Sequence, residues 1–239
     1  MYWTLAGNLG ETLASLEAAA AAGADACLCT ELAVTGFHRR LPELIDAAAL
    51  ADAEAQLRSA CARLGLAAAV GLPTLSPDGA VLNSHVYIDA DGREVGRVHK
   101  RGLTASEATF FTAGASRGWT PLAGAFVTSV LCREMLDGES LLPELSASPP
   151  PSGALRVILW PSYIGASDEA TAAECEAYRA GARDLAVALG AWVVQGNWPE
   201  SLNRPASRGF GGSVVIDPDG RMRERLPTDG AALRVLSFA

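Results

Sequence analysis

The chain has 239 residues, 49% of them hydrophobic, and a formal net charge of −8. That apolar fraction excludes a disordered chain, and the length suffices for a sizeable core, so one α/β domain over residues 1–239 is expected. The acidic balance, with a pI near 4.9, argues against a nucleic-acid partner, whose phosphates need a basic face.

Taken in chain order, the start MYWTLAGNLGE has no basic segment followed by an apolar run, so no secretory leader is expected. No run of about 18 apolar residues follows anywhere, so no membrane span is expected either. Asn8 followed by Glu11 predicts a capped helix over residues 9–22, ended by Gly23. ADACLC (24–29) is a short buried strand, 52–64 an Ala-rich helix closed by Gly65, and LAAAVG the next strand. VYIDADGR (86–93) then reads as strand, Asp-x-Asp-Gly turn and strand, with the glycine supplying the positive φ of the turn.

The second half repeats the scheme. AFVTSVLC (125–132) is a strand, 139–145 a short helix, LRVILW a strand, 168–189 a long helix and AWVVQG a strand. VVIDPDGR (214–221) closes the series and differs from VYIDADGR at two positions. Strands alternating with helices imply covered sheets. Two matching halves fit a pseudo-symmetric four-layer α-β-β-α sandwich with one sheet from each half. AALRVLSF (231–238) reads as a last apolar strand that could pack across a partner. SASPPPSG (146–153) is too short to be an interdomain linker.

Three residues fall where a predicted strand runs into a loop: Glu31, Lys100 and Cys132. A carboxylate, an ammonium and a thiol are the parts of covalent acyl transfer: the thiol attacks, the carboxylate moves protons and the ammonium holds the oxyanion. On position alone none is diagnostic. A cysteine ending an apolar strand is more often a small buried hydrophobe, a carboxylate there a cap or ion-pair partner, and a lysine after a hairpin a surface residue.

Their local sequences decide between these readings, because they resemble the nitrilase, or carbon–nitrogen hydrolase, superfamily. TELAVTGF (30–37) matches the family's P-E-L-x-x-T-G-[YF] segment except for Thr30 in place of proline. HKRGL (99–103) matches the family's [RK]-K-x-x-L segment from Lys100 on, with His99 in the first place, and Cys132-Arg133-Glu134 places an acidic residue after the cysteine as in the family. Glu107, in SEATFFTAG, occupies the place of a second family glutamate. VILWPS, YRAGARDLAVALGAWVVQGNW and GGSVVIDPDG extend the likeness over nearly the whole chain. The resemblance implies the sandwich fold, an αββα–αββα dimer, and a cofactor-independent, amidase-like hydrolase. In it Cys132 is the nucleophile, Glu31 the base and Lys100 an oxyanion donor, joined by the Arg133 N–H. Glu107 then bonds Lys100 or positions the substrate. The usual extended first strand is reduced here to about residues 1–6, which weakens a sheet edge.

The implied substrate is a small linear amide or an N-carbamoyl compound. A nitrilase, an acyl transferase on the same fold and a non-catalytic binding protein that keeps the fold are the alternatives. Phe37, His38, Tyr163, Asn197 and Trp198 follow predicted strand ends, where open α/β sites lie, and are candidate substrate contacts. The cysteines number five and lack a CxxC pair, which fits reduced thiols in a cytoplasmic protein. Cys27 and Cys29 share a strand face with Glu31 by the period of two, but no His or Cys cluster completes a metal site. No metal or cofactor is expected.

Overall fold

The structure, a computed structural model, describes residues 1–166, 168–228 and 230–238. Helix α1 (Leu5–Ala21) begins earlier than its pattern suggests. Thr4, not Asn8, is its N-cap, accepting the Gly7 N–H at 3.3 Å. Asn8 is buried inside the helix, where its amide binds the backbone N–H and C=O of Tyr2 at 2.7 and 2.9 Å. The N-terminal residues are therefore folded back on the helix and form no strand.

Strand β1 (Ala26–Leu28) leads by a long connection to α2 (Ala47–Leu64), and β2 (Ala67–Leu75), β3 (Val81–Ile88) and β4 (Glu94–His99) follow. Asp46 caps α2 by accepting the Ala49 N–H at 2.8 Å, and Gly65 ends it at φ +62°, as a left-handed C-cap requires. The second half contains β5 (Thr120–Leu122), β6 (Ala125–Ser129), α3 (Gly138–Ala147), β7 (Arg156–Ser162), α4 (Glu169–Leu189), β8 (Trp192–Asn197), β9 (Val214–Ile216) and β10 (Met222–Arg225).

The strands form two sheets, ordered β1-β2-β3-β4 and β10-β9-β8-β7-β6-β5. β1 pairs parallel with β2, and β3 and β4 add antiparallel. β7, β8, β9 and β10 repeat that pattern. The two related hairpins are built alike: Asp89 Oδ1 accepts the Arg93 N–H and Asp217 Oδ1 the Arg221 N–H, both at 2.8 Å. β5 and β6 have no counterpart in the first sheet among the described residues.

Side-chain alternation along the strands makes the layers. Ala68, Val70 and Leu72 of β2 face Leu16 and Leu57 of α1 and α2. Ala67 and Ala69, one residue out of phase, meet Val127, Val157 and Leu159 of the second sheet. Ile158 and Trp160 of β7 turn the other way, onto Leu185 and Ala186 of α4. The fold is the expected α-β-β-α sandwich.

Two further sequence expectations fail. The strand through Cys132 stops at Ser129, and residues 231–238 carry no strand. Phe238 instead lies edge-on against Trp192 at 5.0 Å, while Leu233 and Val235 are exposed. Among the described residues no helix is long and apolar enough to cross a membrane.

Candidate active site

β1, β2 and β4 run in one direction in their sheet, as do β6, β7 and β8 in theirs. Glu31 and Lys100 therefore leave one sheet at its carboxyl end, and Cys132, Tyr163 and Trp198 leave the other. A hydrogen bond joins the two groups: Trp198 Nε1 donates to the Glu31 carbonyl at 2.6 Å.

Glu31 lies in the turn after β1, not on the strand, so the period of two that aligned it with Cys27 and Cys29 breaks at Leu28. Gly71 permits this turn. A Cβ there would come within 2.4 Å of the Thr30 carbonyl and 2.5 Å of the Leu32 N. Lys100 is held by its backbone, its N–H bonding the Asn83 carbonyl at 2.8 Å. Its ammonium donates to Glu31 Oε1 at 2.8 Å and to Glu107 Oε1 at 2.6 Å. Asn83 Nδ2 donates to the same Glu31 oxygen at 2.9 Å. Glu31 Oε2, buried, has no protein partner.

All three charged side chains are 1% exposed or less. Burial raises the Glu31 pKa above the usual carboxylate range, and the Glu107 charge adds to this; Lys100 and Asn83 offset it only in part. Burial alone would lower the Lys100 pKa, but the Glu31, Cys132 and Glu107 charges outweigh it and raise the pKa, so the ammonium stays charged.

Cys132 opens a short 3-10 helix (Cys132–Leu136) with φ +52°, a left-handed conformation that is uncommon for a residue with a Cβ. Its neighbours hold this turn. Trp160 Nε1 donates to the Cys132 carbonyl at 3.0 Å. Gly181 of α4 lets the helix close on the turn, since a Cβ there would sit 2.1 Å from the Met135 carbonyl. Because Cys132 and Arg133 begin the helix, their N–H groups lack intrahelical acceptors. The Arg133 guanidinium turns aside to Asp137 at 3.0 Å. Cys132 is half-buried, and the other four cysteines are buried. Burial pushes its thiol pKa up, the Glu31 charge pushes it further, and Lys100 pulls it only partly back.

Glu134 ties these parts together. Its carboxylate accepts five hydrogen bonds: from the N–H groups of Leu131, Arg101 and Gly102 and twice from the Arg117 guanidinium, all at 2.6–2.9 Å. One side chain thus fixes the residue before Cys132 and the two after Lys100. In the sequence Glu134 stands out only as part of a motif, and Arg117, Asn83 and Trp160 do not stand out at all. The signal available is polarity out of place: a lone arginine in ASRGW and an asparagine buried within β3.

Of the remaining candidates, Phe37 and Tyr163 stack at 4.7 Å, and the Tyr163 carbonyl lies 3.8 Å from Cys132 Sγ. Asn197 braces the wall with its whole amide: Oδ1 accepts from Ser162 and Ile164, and Nδ2 donates to the Ile164 and Gly211 carbonyls. It has no group left for a ligand. His38 is buried against Trp3, with ring centroids 4.9 Å apart.

No curated protein matches the chain. Solved structures similar to it include the amidase from Nesterenkonia sp. AN1. A double mutant of that amidase with acrylamide has 19% identity and a TM-score of 0.77, over 95% of this chain and 82% of that one. Another mutant shows Michael addition of acrylamide at the active-site cysteine; it has 20% identity and a TM-score of 0.76, over 95% and 85%. The carbon–nitrogen hydrolase from Helicobacter pylori G27 has 16% identity and a TM-score of 0.81, over 95% and 82%. At these identities the likeness establishes the fold. The family profile for carbon–nitrogen hydrolases matches residues 1–233, and the chain belongs to that family.

Proposed function

We propose that the chain is an amidase that hydrolyses a small linear amide or an N-carbamoyl compound through a thioester on Cys132. The observation that carries this reading is the divided environment of Glu31. Lys100 and Asn83 anchor one carboxylate oxygen, and the other is buried without a partner in the same charged cluster that acts on the Cys132 thiol. A carboxylate held this way, with a raised pKa, is suited to take and return a proton.

The steps balance without a cofactor. Glu31 Oε2 takes the thiol proton as sulfur attacks the carbonyl carbon. The oxyanion forms between the Lys100 ammonium and the Arg133 N–H. The tetrahedral intermediate collapses, the C–N bond breaks, and Glu31 returns its proton to the departing ammonia or amine. Water, deprotonated by Glu31, then attacks the thioester, and the proton goes back to the sulfur. Glu107 keeps the ammonium in place. The acrylamide addition at the cysteine of the Nesterenkonia amidase supports a nucleophilic thiol at Cys132.

A nitrile would use the same thiol, and an acyl transferase would replace water with an amine. An ammonia-release screen over amides, N-carbamoyl amino acids and nitriles, with and without an added amine, separates these. Release from amides that is lost in Cys132→Ala is the expected result. Wild-type release by that variant would contradict the proposal.

A further inference from the structure

We infer that Arg204 and the cavity it lines, which shares Tyr163 with the surroundings of Cys132, form a carboxylate subsite, so that the preferred amide carries a free carboxylate; this rests on the amidase reading. The cavity, of about 240 Å³, is lined by Tyr163 and Phe210, whose rings lie 5.0 Å apart, and by Ser201, Asn203 and Ser207. Tyr163, which lines the cavity, connects it to the nucleophile, since its carbonyl meets Cys132 Sγ at 3.8 Å.

Among the described residues Arg204 is the one charged residue in the lining. Among the described residues its guanidinium has no carboxylate or carbonyl partner, whereas its neighbours are engaged. Arg208 donates to the Ala206 and Ser207 carbonyls at 3.1 and 3.3 Å, and Arg39 lies over the Trp3 ring. The Arg204 backbone is fixed: its N–H donates to Ser201 Oγ at 3.1 Å, and that hydroxyl is hydrogen-bonded to Tyr163 OH. Its carbonyl accepts the Ser207 N–H at 2.9 Å. A cation with an unused fork, on a braced turn beside two aromatic residues of the same cavity, can receive a carboxylate through two parallel hydrogen bonds. On a chain of net charge −8, long-range forces oppose an anionic substrate, so its retention falls to such a local cation.

The carboxylate can lie on the acyl side, as in the monoamide of a dicarboxylic acid, or on the amine side, as in an N-carbamoyl amino acid. Two matched pairs separate these: succinamate against butyramide, and N-carbamoyl-β-alanine against N-propylurea. In at least one pair the wild type should favour the carboxylate by roughly 10- to 100-fold in kcat/KM. The ratio should collapse in Arg204→Gln and invert in Arg204→Glu. Ratios near one in both pairs, or a ratio unmoved by Arg204→Gln, would overturn the subsite. If no amide were turned over, the amidase reading would fail, and the subsite would be judged by protection instead. Succinamate or N-carbamoyl-β-alanine should then slow iodoacetamide alkylation of Cys132 more than its uncharged partner does, and Arg204→Gln should abolish the difference. Equal protection would overturn the assignment.

Discussion

Glu134→Ala tests the hub that joins the Cys132 and Lys100 turns. The substitution removes a carboxylate that accepts five hydrogen bonds, two of them from the buried Arg117 guanidinium. Removing one partner of a buried ion pair leaves the other charge uncompensated and costs about 3–5 kcal/mol. For a chain of this size each kcal/mol lowers Tm by roughly 2–4 °C, so a loss of about 6–20 °C is expected. The assay is thermal and urea unfolding of both proteins, with Glu139→Ala, an exposed neighbour, as the control near zero. The pH dependence adds a second reading. Burial alone would raise the Glu134 pKa, but Arg117 and the N–H donors outweigh it and hold it below the ordinary range. A depressed folded-state pKa stabilises above the unfolded value, about 4.3. That contribution is lost as pH falls through the lower folded value. The gap between wild type and variant should therefore narrow in acid below about pH 4. A Glu134→Ala protein within about 1 kcal/mol of wild type at neutral pH would refute the hub.

Two further outcomes test the proton and oxyanion roles. Lys100→Gln should lose about 10²–10³ in kcat, the usual worth of one oxyanion donor; near-normal kcat in steady-state assays would remove Lys100 from the chemistry. Glu31 must be ionised to act as a base, and its pKa is raised. The wild-type kcat/KM should therefore fall as pH drops through a value above the ordinary carboxylate pKa of about 4.3, and Glu31→Gln should be inactive throughout. An acid limb at or below pH 4 would show that another group governs the profile.

The sequence foretells the sandwich well because its signals are local: Gly65 closing α2, the two Asp-x-Asp-Gly hairpins, and alternation on β2 and β7. It places Glu31, Lys100 and Cys132 at strand ends for the same reason. What it misses depends on contacts between distant segments. Asn8 carries a cap signature, but Tyr2 folds back to occupy it. Cys132 reads as the end of a strand because strand-forming residues run up to it, yet Trp160 and Glu134 hold the chain in a left-handed turn. Residues 231–238 have strand composition, but the described structure gives them no strand to pair with. Asn197 follows a strand end like a ligand contact, and only the structure shows its amide fully bonded to backbone and Ser162. The pairing of Arg117 with Glu134 joins residues 17 positions apart and leaves no periodic trace.

The central claim is that the acyl group passes through Cys132, and trapping that intermediate tests it most directly. Cys132 is the half-buried thiol; Cys27, Cys29, Cys61 and Cys175 are buried in the helix-facing cores, and burial holds the Cys61 pKa up at about 11, so they should stay inert. Acid quench during turnover, followed by peptide mass spectrometry, should find the acyl mass on the Cys132 peptide alone. Hydroxylamine in place of water should yield the hydroxamate. Turnover with no adduct on Cys132 and no hydroxamate would mean that water attacks the substrate directly, and the thioester mechanism would be wrong.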